Sequence, residues 1–438
     1  MALLSFDYAI SLQLIVQVKV DFMLKVLQTL LVGIIVDLYW FPVAPTFAPS
    51  VNSKMIMAIV GVLILSLQVL RKRNYSTQKS LFGATFFALA YSACNLVAVE
   101  LNDTFDFSYA SYITTFFVWL FAAYTAIEAI RWRHQKVTIS LLTLYLSVVC
   151  SLQCIIAIII DKFEAAKAAV NSIFYISEEF FEEIDRLYGI GAALDPAGTR
   201  FAIVLIMIAF VLSLDEKVKK EARTTLVLLI SFIIISAIGN MISRTTSSGM
   251  ILGLLVMLFN TGLYRMTISA DSLRMFKIFA PIMILGIAAT AILYNTDSYT
   301  RSLLRYGFEG FFNWVETGVW TTGSTETLAT MWRWPETTKG WIIGMGRYGL
   351  FDFGTDIGYC RLILYSGLVG FSVFALLFVY NAYVFITKYR RYRYMFLVLL
   401  AMSFIIWYKV STDLFMIYAL LYCFDDEEEM GYTPKFSL

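Results

Sequence analysis

One acidic side chain precedes the longest apolar stretch of this sequence and is placed to do chemistry. Asp356 is the last charged residue before that stretch and lies between Gly354 and Gly358. A carboxylate there, partly desolvated and close to arginines, could act as a general base for a hydroxyl group. It could also be the N-cap of a helix that begins near Ile357, and one residue can have both roles.

A set of arginines is the second group with possible chemistry. Arg244 lies in a connector of a few residues between two apolar stretches, so both neighbours hold it at the membrane surface. The planar guanidinium group binds phosphate oxygens in pairs, and several arginines on one side of a membrane protein therefore suit a phosphate or diphosphate. Contact with lipid headgroups and salt bridges within loops are the alternative uses. The set consists of Arg186, Arg244, Arg301, Arg305, Arg333 and Arg347.

The elements that must position these residues are membrane helices. Of 438 residues, 59% are hydrophobic and only 15% are charged, which is far from the composition of soluble domains. Apolar runs of about 17 to 25 residues can each cross a bilayer as a helix, so we expect an all-α polytopic membrane protein. The last two runs form either a hairpin or one long helix, which gives twelve or eleven spans. The predicted spans are 24–40, 55–70, 81–99, 111–130, 138–160, 200–214, 224–242, 248–264, 275–294, 358–386, 394–408 and 411–424.

Lysine and arginine predict the orientation of these spans, because basic connectors stay in the cytoplasm. Every second connector is basic, beginning with "RKRNYSTQK" at 71–79. The intervening connectors 41–52 and 101–110 carry no lysine or arginine. The N-terminus and the acidic tail 425–429 are therefore predicted to be cytoplasmic. The chain is expected to be one transmembrane domain, 1–438, with two long external loops, 161–199 and 295–357.

The two external loops have different patterns. Apolar residues recur at helical spacing over 162–187, which predicts an amphipathic helix in the membrane interface. The loop 295–357 is rich in aromatic residues, whose flat rings can stack on sugar faces. Both loops are expected to lie on the helix bundle as lids.

Several classes of site have no support in the sequence. There is no G-x-x-x-x-G-K-[ST] loop for a nucleotide, the single histidine is in a predicted cytoplasmic connector, and the five cysteines fall in apolar runs. No metal, no cofactor and no nucleic-acid partner is therefore expected. Charged residues are rare within the predicted spans, which argues against an ion-coupled transporter.

Three stretches resemble the Wzy-type polysaccharide polymerases and the related O-antigen ligases, which are bacterial inner-membrane glycosyltransferases of the GT-C kind. They are "RLYGIGAALDPAGTRFAIVLIMIAF" at 186–210, "ISRTTSSGMILGLLVML" at 242–258, and 331–370, where an arginine segment, a Gly-x-Gly and an acid-headed helix follow in the family's order. The resemblance implies a GT-C-like helix bundle.

The resemblance also separates two activities. The ligase branch typically has a histidine followed by Asn, Ser or Gln, nine residues and Gly-x-x-Gly. Here Asp356 and Ile357 are followed by nine residues and then by Gly367-Leu-Val-Gly370. Aspartate replaces the histidine, which favours the polymerase over the ligase.

For this family, the implied reaction transfers a growing glycan from undecaprenyl diphosphate to a lipid-linked repeat unit at the outer face of the cytoplasmic membrane. Its partners would be the lipid-linked oligosaccharide, the bilayer, and a chain-length regulator and flippase. A ligase-like glycan transferase and a flippase or transporter for lipid-linked sugars are the alternatives. The expected catalytic residues are Asp356 and Arg333; Arg186 and Arg244 would hold the diphosphate together with Arg333, with Arg301 and Arg305 in reserve; Gly344, Gly346, Trp334 and Tyr359 would contact sugar or shape the loop.

Overall fold

The computed structural model describes residues 2–72, 78–175, 186–260, 277, 281, 284–286, 288, 290–347 and 354–424, and the acidic tail 425–429 lies outside them. The described part is helical almost throughout. The helices are α1 (Ala2–Trp40), α2 (Ser53–Lys72), α3 (Lys79–Asn102), α4 (Tyr112–His134), α5 (Ile139–Lys162), α6 (Glu164–Ile173), α7 (Leu194–Leu214), α8 (Glu216–Lys220), α9 (Ala222–Ile242), α10 (Thr246–Asn260), α11 (Ser298–Gly307), α12 (Glu309–Thr317), α13 (Gly323–Ala329), α14 (Thr338–Ile342), α15 (Gly358–Lys388), α16 (Arg393–Trp407) and α17 (Phe415–Tyr422).

Eight of the described helices are long and apolar enough to cross a membrane, and each coincides with a predicted span. They are α1 from Lys19, α2, α3, α4, α5, α7, α9 and α15. The prediction of an α-helical polytopic membrane protein is confirmed at this level. The predicted spans 248–264 and 275–294 correspond to shorter apolar helices, Thr246–Phe259 and Ile284–Thr296, with part of each prediction outside the described residues.

The predicted external connectors contact one another at one end of the bundle, which we call the site end. The backbone N–H of Tyr175 donates to the Ala44 carbonyl (2.9 Å), so the connector 41–52 meets the loop that follows α6. The Arg244 side chain donates to the Tyr306 carbonyl (3.1 Å), which joins the α9–α10 connector to the second long loop.

The predicted cytoplasmic connectors meet at the opposite end. The Gln78 amide donates to the Phe424 carbonyl (2.8 Å), and Arg131 donates to the Cys423 carbonyl (3.1 Å). Arg391, after α15, donates to the carbonyl of Leu214 at the end of α7. Alternation of the connectors between two ends is therefore a property of the fold as well as of the sequence.

The last two helices form a hairpin and not one long helix. Asp413, in the connector between α16 and α17, receives a hydrogen bond from Tyr112 at the start of α4 (3.5 Å). The end of α17 reaches Arg131, in the last turn of α4. The chain therefore rises through α16 to the site end and returns through α17.

Within the stretch 162–187, predicted to be one amphipathic helix, the structure has a helix over Glu164–Ile173, and the described residues 174, 175, 186 and 187 are not helical. The helix α6 ends at Ile173, and the following backbone pairs with the connector 41–52: Phe174 forms a bridge with Pro45. Hydrogen bonds between these two segments of the chain replace the helical ones. The chain is also non-helical at Arg186. No side chain of α6 is buried, as expected of a helix at an interface, and residues 176–185 lie outside the described part.

The helix α15 is interrupted at Gly367, where the backbone has φ 61° and ψ −177°. The interruption leaves two carbonyls without helical donors. The backbone N–H groups of Met345 and Gly346 donate to these carbonyls, those of Leu364 (2.7 Å) and Tyr365 (3.0 Å). The second long loop is thereby fixed to α15 at the site end.

Candidate functional site

The connector between α9 and α10 is only three residues long, and its hydroxyl groups hold it on the neighbouring helix. Ser243 and Thr245 both donate to one oxygen of Asp195, in the first turn of α7, at 2.9 and 2.7 Å. The same oxygen accepts from the Lys409 ammonium group at 2.7 Å. Because both neighbours of Arg244 are anchored in this way, the backbone at Arg244 is held in place. The Arg244 side chain, unlike those of Ser243 and Thr245, is directed away from α7.

The Arg244 side chain extends into the second long loop and binds it at three points. Its guanidinium group lies 4.2 Å from the centre of the Tyr306 ring. It donates to the Tyr306 carbonyl (3.1 Å) and to the Ser324 hydroxyl (3.2 Å), and it pairs with the Glu309 carboxylate at 2.6 Å. The side chain is 16% exposed, so these contacts are made largely out of water.

Arg186 approaches the same tyrosine, with its guanidinium group 5.5 Å from the Tyr306 ring centre. Gly307, next to Tyr306, lets α11 pack closely on α9, because a Cβ at this position would come within 3.3 Å of the Asn240 carbonyl carbon at the end of α9. Burial raises the pKa of the Tyr306 hydroxyl, and the positive charges of Arg186 and Arg244 oppose that rise. Tyr306 is therefore neutral at physiological pH.

Two buried polar atoms at this point have no hydrogen-bond partner among the residues that the structure describes. They are Nε of Arg186 and the hydroxyl oxygen of Tyr306, whereas the buried Oε2 of Glu309 has the Arg244 guanidinium group as its ion-pair partner at 2.6 Å. An unpaired buried polar atom costs about 1 to 3 kcal/mol. Their clustering around one tyrosine is typical of a binding site for a polar ligand.

Two cavities adjoin Arg244, and we call them the polar cavities because charged side chains line them, although most of the wall of the larger one is apolar. The larger, of about 540 Å³, is lined by Arg244, Lys409 and Glu309, and by aromatic residues that include Trp320 and Tyr408. The smaller, of about 360 Å³, lies between Arg244, Arg305 and Glu309. Both open at the site end, and both combine positive charge with aromatic walls.

An apolar cavity of about 560 Å³ lies beside them, between α9, α10 and the stretch that precedes α11. It shares Met250, Phe308 and Phe311 with the larger polar cavity. A charged compartment and an apolar one are therefore separated by only a few side chains.

The structure brings together three of the five arginines predicted to hold a diphosphate. Arg186, Arg244 and Arg305 surround Tyr306, although Arg305 is exposed and also pairs with Glu316 (2.5 Å). Arg301, one turn before Arg305 on α11, is directed to the preceding chain and donates to the carbonyl groups of residues 294 and 295.

Arg333 lies outside this group. Its exposed side chain donates to the carbonyls of Thr330 (3.1 Å) and Trp332 (3.0 Å), and it does not line the cavities described above. Its neighbour Trp332 approaches them, with its ring 5.6 Å from that of Tyr408.

Asp356 also lies apart from the arginine cluster. Its carboxylate is half exposed and pairs with Arg361 in the first turn of α15, at 3.0 Å. The N-cap position of α15 is Ile357, which has no side-chain cap, and the Ile357 amide instead donates to the Thr355 hydroxyl (3.2 Å). Asp356 therefore does not cap this helix by a side-chain hydrogen bond, whereas its role as a base stays a prediction.

Of the four residues expected to contact sugar or to shape the loop, three lie within the fold and one lies on the surface. Gly344 and Gly346 have φ of +91° and +60° and lie where the loop joins α15. Tyr359 is held inside the bundle by its hydrogen bond to the Phe404 carbonyl (2.9 Å).

Trp334 belongs instead to an aromatic row on the surface. Its ring lies 5.5 Å from Trp332 and 5.7 Å from Trp341. Through Trp332, the row continues to Tyr408 at the edge of the larger polar cavity. The row is a continuous aromatic surface that leads away from Arg244.

The sequence interpretation missed three members of the site: Tyr306, Glu309 and Lys409. Tyr306 directly follows the predicted Arg305, so proximity was its only signal. Glu309 was one of many external acids, and no spacing relates it to Arg244. Lys409 was visible as a rare charge between two apolar runs, which is the signal that could have indicated a paired site.

The fold and this site define an α-helical, multi-pass membrane protein with a cationic, aromatic-lined cavity at one end. In the described residues, histidine, cysteine and acidic side chains form no group of three that could hold a metal ion. No family model, no curated protein and no solved structure matches the chain.

Proposed function

We propose that the protein is a polysaccharide polymerase of the GT-C kind. It would transfer a growing glycan from undecaprenyl diphosphate to a lipid-linked repeat unit at the outer face of the bacterial cytoplasmic membrane. The observation that carries this proposal is the convergence of Arg186 and Arg244 on Tyr306, where two buried donors, Nε of Arg186 and the Tyr306 hydroxyl, have no hydrogen-bond partner among the described residues. A diphosphate supplies the acceptor oxygens and the negative charge that such a site binds.

The site fits the chemistry of a lipid diphosphate donor. When the bond between the sugar and the diphosphate breaks, negative charge develops on the departing oxygen. Arginine N–H groups aimed at that oxygen stabilise the charge without a metal, and they do so more strongly where water is excluded. Arg244, with 16% of its side chain exposed, is in such a position.

The surroundings fit the other two parts of the substrate. The apolar cavity next to the polar one is suited to the polyprenyl chain, which needs contact with hydrocarbon surfaces. The aromatic row from Tyr408 to Trp341 is suited to a glycan, because sugar faces stack on flat rings. The basic connectors at the opposite end support an orientation with the site outside the cell.

The test is a chain-lengthening assay with purified protein in lipid nanodiscs. A lipid-linked repeat unit is added and products are separated on a gel. Lengthening supports the polymerase, translocation without lengthening indicates a flippase, and transfer to lipid A indicates a ligase-like transferase.

A pair of variants connects this activity to the site. Arg244→Ala removes donors to the leaving group and should slow lengthening by roughly 100- to 1000-fold, by analogy with a lost oxyanion donor. The matched control is Arg301→Ala, because Arg301 is an arginine of the same loop whose contacts among the described residues are with its own preceding backbone and one ring. The control should stay within about 3-fold of wild type. Equal rates for Arg244→Ala and wild type would contradict the assignment of the diphosphate site.

A further inference from the structure

Glu309 is the carboxylate that lies in the arginine cluster. It is the first residue of α12, where the helix dipole favours a negative charge. One oxygen, Oε2, lies 2.6 Å from the guanidinium group of Arg244, and the other, Oε1, accepts from the backbone N–H of Gly323 (3.0 Å). Its side chain lines both polar cavities.

We propose that Glu309 takes the proton of the acceptor hydroxyl, after the donor diphosphate has displaced its Oε2 from Arg244. This assignment rests on the proposed function and names a catalytic residue for it. It differs from the expectation for Asp356, whose carboxylate pairs with Arg361 and lines neither polar cavity.

The contact between Glu309 and Arg244 is one that a diphosphate can replace. Both ligands present oxygens to the same guanidinium group, but a diphosphate carries more charge and can bind two N–H groups at once. Among the described residues, Arg244 is the partner of the buried Oε2 and no further hydrogen bond holds that oxygen, so leaving Arg244 breaks no other bond of Oε2. The protein without ligand therefore keeps its main phosphate-binding arginine paired with a carboxylate that the substrate displaces.

Displacement leaves the carboxylate in position to act. Oε1 stays bound to the Gly323 amide, which limits the side chain to small movements about that anchor. Because Glu309 lines the larger polar cavity, a small rotation would bring Oε2 to that cavity, beside the diphosphate that has taken its place on Arg244. A base must lie within hydrogen-bond distance of the hydroxyl that it deprotonates, and this cavity is where the acceptor would meet the donor.

The resulting step is balanced in atoms and charge. The acceptor hydroxyl oxygen forms a bond to the anomeric carbon of the donor sugar while its proton passes to Oε2 of Glu309. The bond between that carbon and the diphosphate oxygen breaks, and its electron pair leaves with the diphosphate, whose charge Arg244 and Arg186 stabilise. The Glu309 proton passes to water after product release, which restores the pair with Arg244.

The test measures binding and turnover separately in Glu309→Gln. Glutamine keeps an oxygen for the Gly323 amide and removes the charge that competes for Arg244. Calorimetric titration with inorganic pyrophosphate should give binding about 2- to 10-fold tighter than wild type, since a competing ion pair is lost. The lengthening rate at saturating substrate should fall by about 100- to 10,000-fold, as for a lost general base. Tighter binding with slower turnover is a combination that a purely structural role would not produce.

Two further variants complete the comparison. Glu309→Asp keeps the charge on a shorter side chain and should recover part of the rate lost in Glu309→Gln. Glu326→Gln changes an exposed carboxylate of α13 that lines neither polar cavity, and this matched control should lengthen chains within about 3-fold of the wild-type rate.

The assignment is overturned if Glu309→Gln lengthens chains normally, if it loses pyrophosphate binding as Arg244→Ala does, or if Asp356→Asn is the variant that loses the rate. A wild-type protein that lengthens no chain overturns the proposed function and this assignment with it. Activity in wild type and in Glu309→Gln alike overturns the assignment alone.

Discussion

Substituting Gly344 should detach the second long loop from α15. A Cβ on Gly344 would lie 2.1 Å from the Tyr365 carbonyl oxygen, and the backbone there has φ +91°, a conformation that other residues rarely adopt. In Gly344→Ala, the loop must move away and lose the two hydrogen bonds from Met345 and Gly346 to α15. At about 1 kcal/mol for each net hydrogen bond and about 1 to 2 kcal/mol for the backbone, the loop is destabilised by about 3 to 4 kcal/mol.

Limited trypsin digestion measures this change, because the exposed Arg347 follows the docked segment. When cleavage requires opening of the loop, a loss of about 3 to 4 kcal/mol speeds cleavage roughly 150- to 700-fold. Gly354→Ala is the matched control: it also has positive φ (+58°), but its Cβ would meet no atom of the described residues within 4 Å. The control should cost about 1 to 2 kcal/mol and speed cleavage no more than about 30-fold. Equal cleavage rates for the two variants would refute the idea that the close approach to Tyr365 holds the loop.

Three further predictions concern the site. Trp334→Ala should weaken use of the lipid-linked oligosaccharide about 3- to 10-fold through loss of stacking, seen as a higher KM, whereas the exposed Trp132 at the opposite end should tolerate alanine. Asp195→Asn should lower the unfolding free energy in detergent by about 2 kcal/mol because Lys409 loses its partner. Adding Lys409→Met should recover part of this loss, and a double variant as unstable as Asp195→Asn would contradict the prediction. Because the pKa of Tyr306 is raised, its neutral form persists as pH rises, so pyrophosphate binding between pH 7 and 9 should follow the same curve in wild type and Tyr306→Phe; a fall specific to wild type would contradict it.

Much of the fold followed from local signals in the sequence. A membrane helix is recognised by its own apolar length, and basic connectors are recognised by their own composition, so neither requires knowledge of what packs where. The importance of Arg244 also followed from local sequence, because a short connector between two apolar runs holds its charge at the membrane surface.

The rest of the site depends on contacts between distant segments. Glu309 meets Arg244 across 65 residues, and Lys409 meets Asp195 across 214. The break at Gly367 was hidden because an apolar run reads as one helix whether or not a glycine interrupts it. The break depends on a distant loop segment, Met345 and Gly346, whose N–H groups donate to the carbonyls of Leu364 and Tyr365 just before it.

The break in α15 also indicates how deep the site lies. The helix has 31 residues, roughly 46 Å at about 1.5 Å each, which exceeds the hydrocarbon thickness of about 30 Å. After Gly367, 388 − 367 = 21 residues remain, roughly 32 Å, which matches one crossing. We therefore expect the turns from Gly358 to the break to extend into the headgroup layer. Gly358 packs against the carbonyl of Val410, next to Lys409, so the Lys409–Asp195 pair would lie among polar headgroups and avoid the solvation cost that a charge pair has in hydrocarbon.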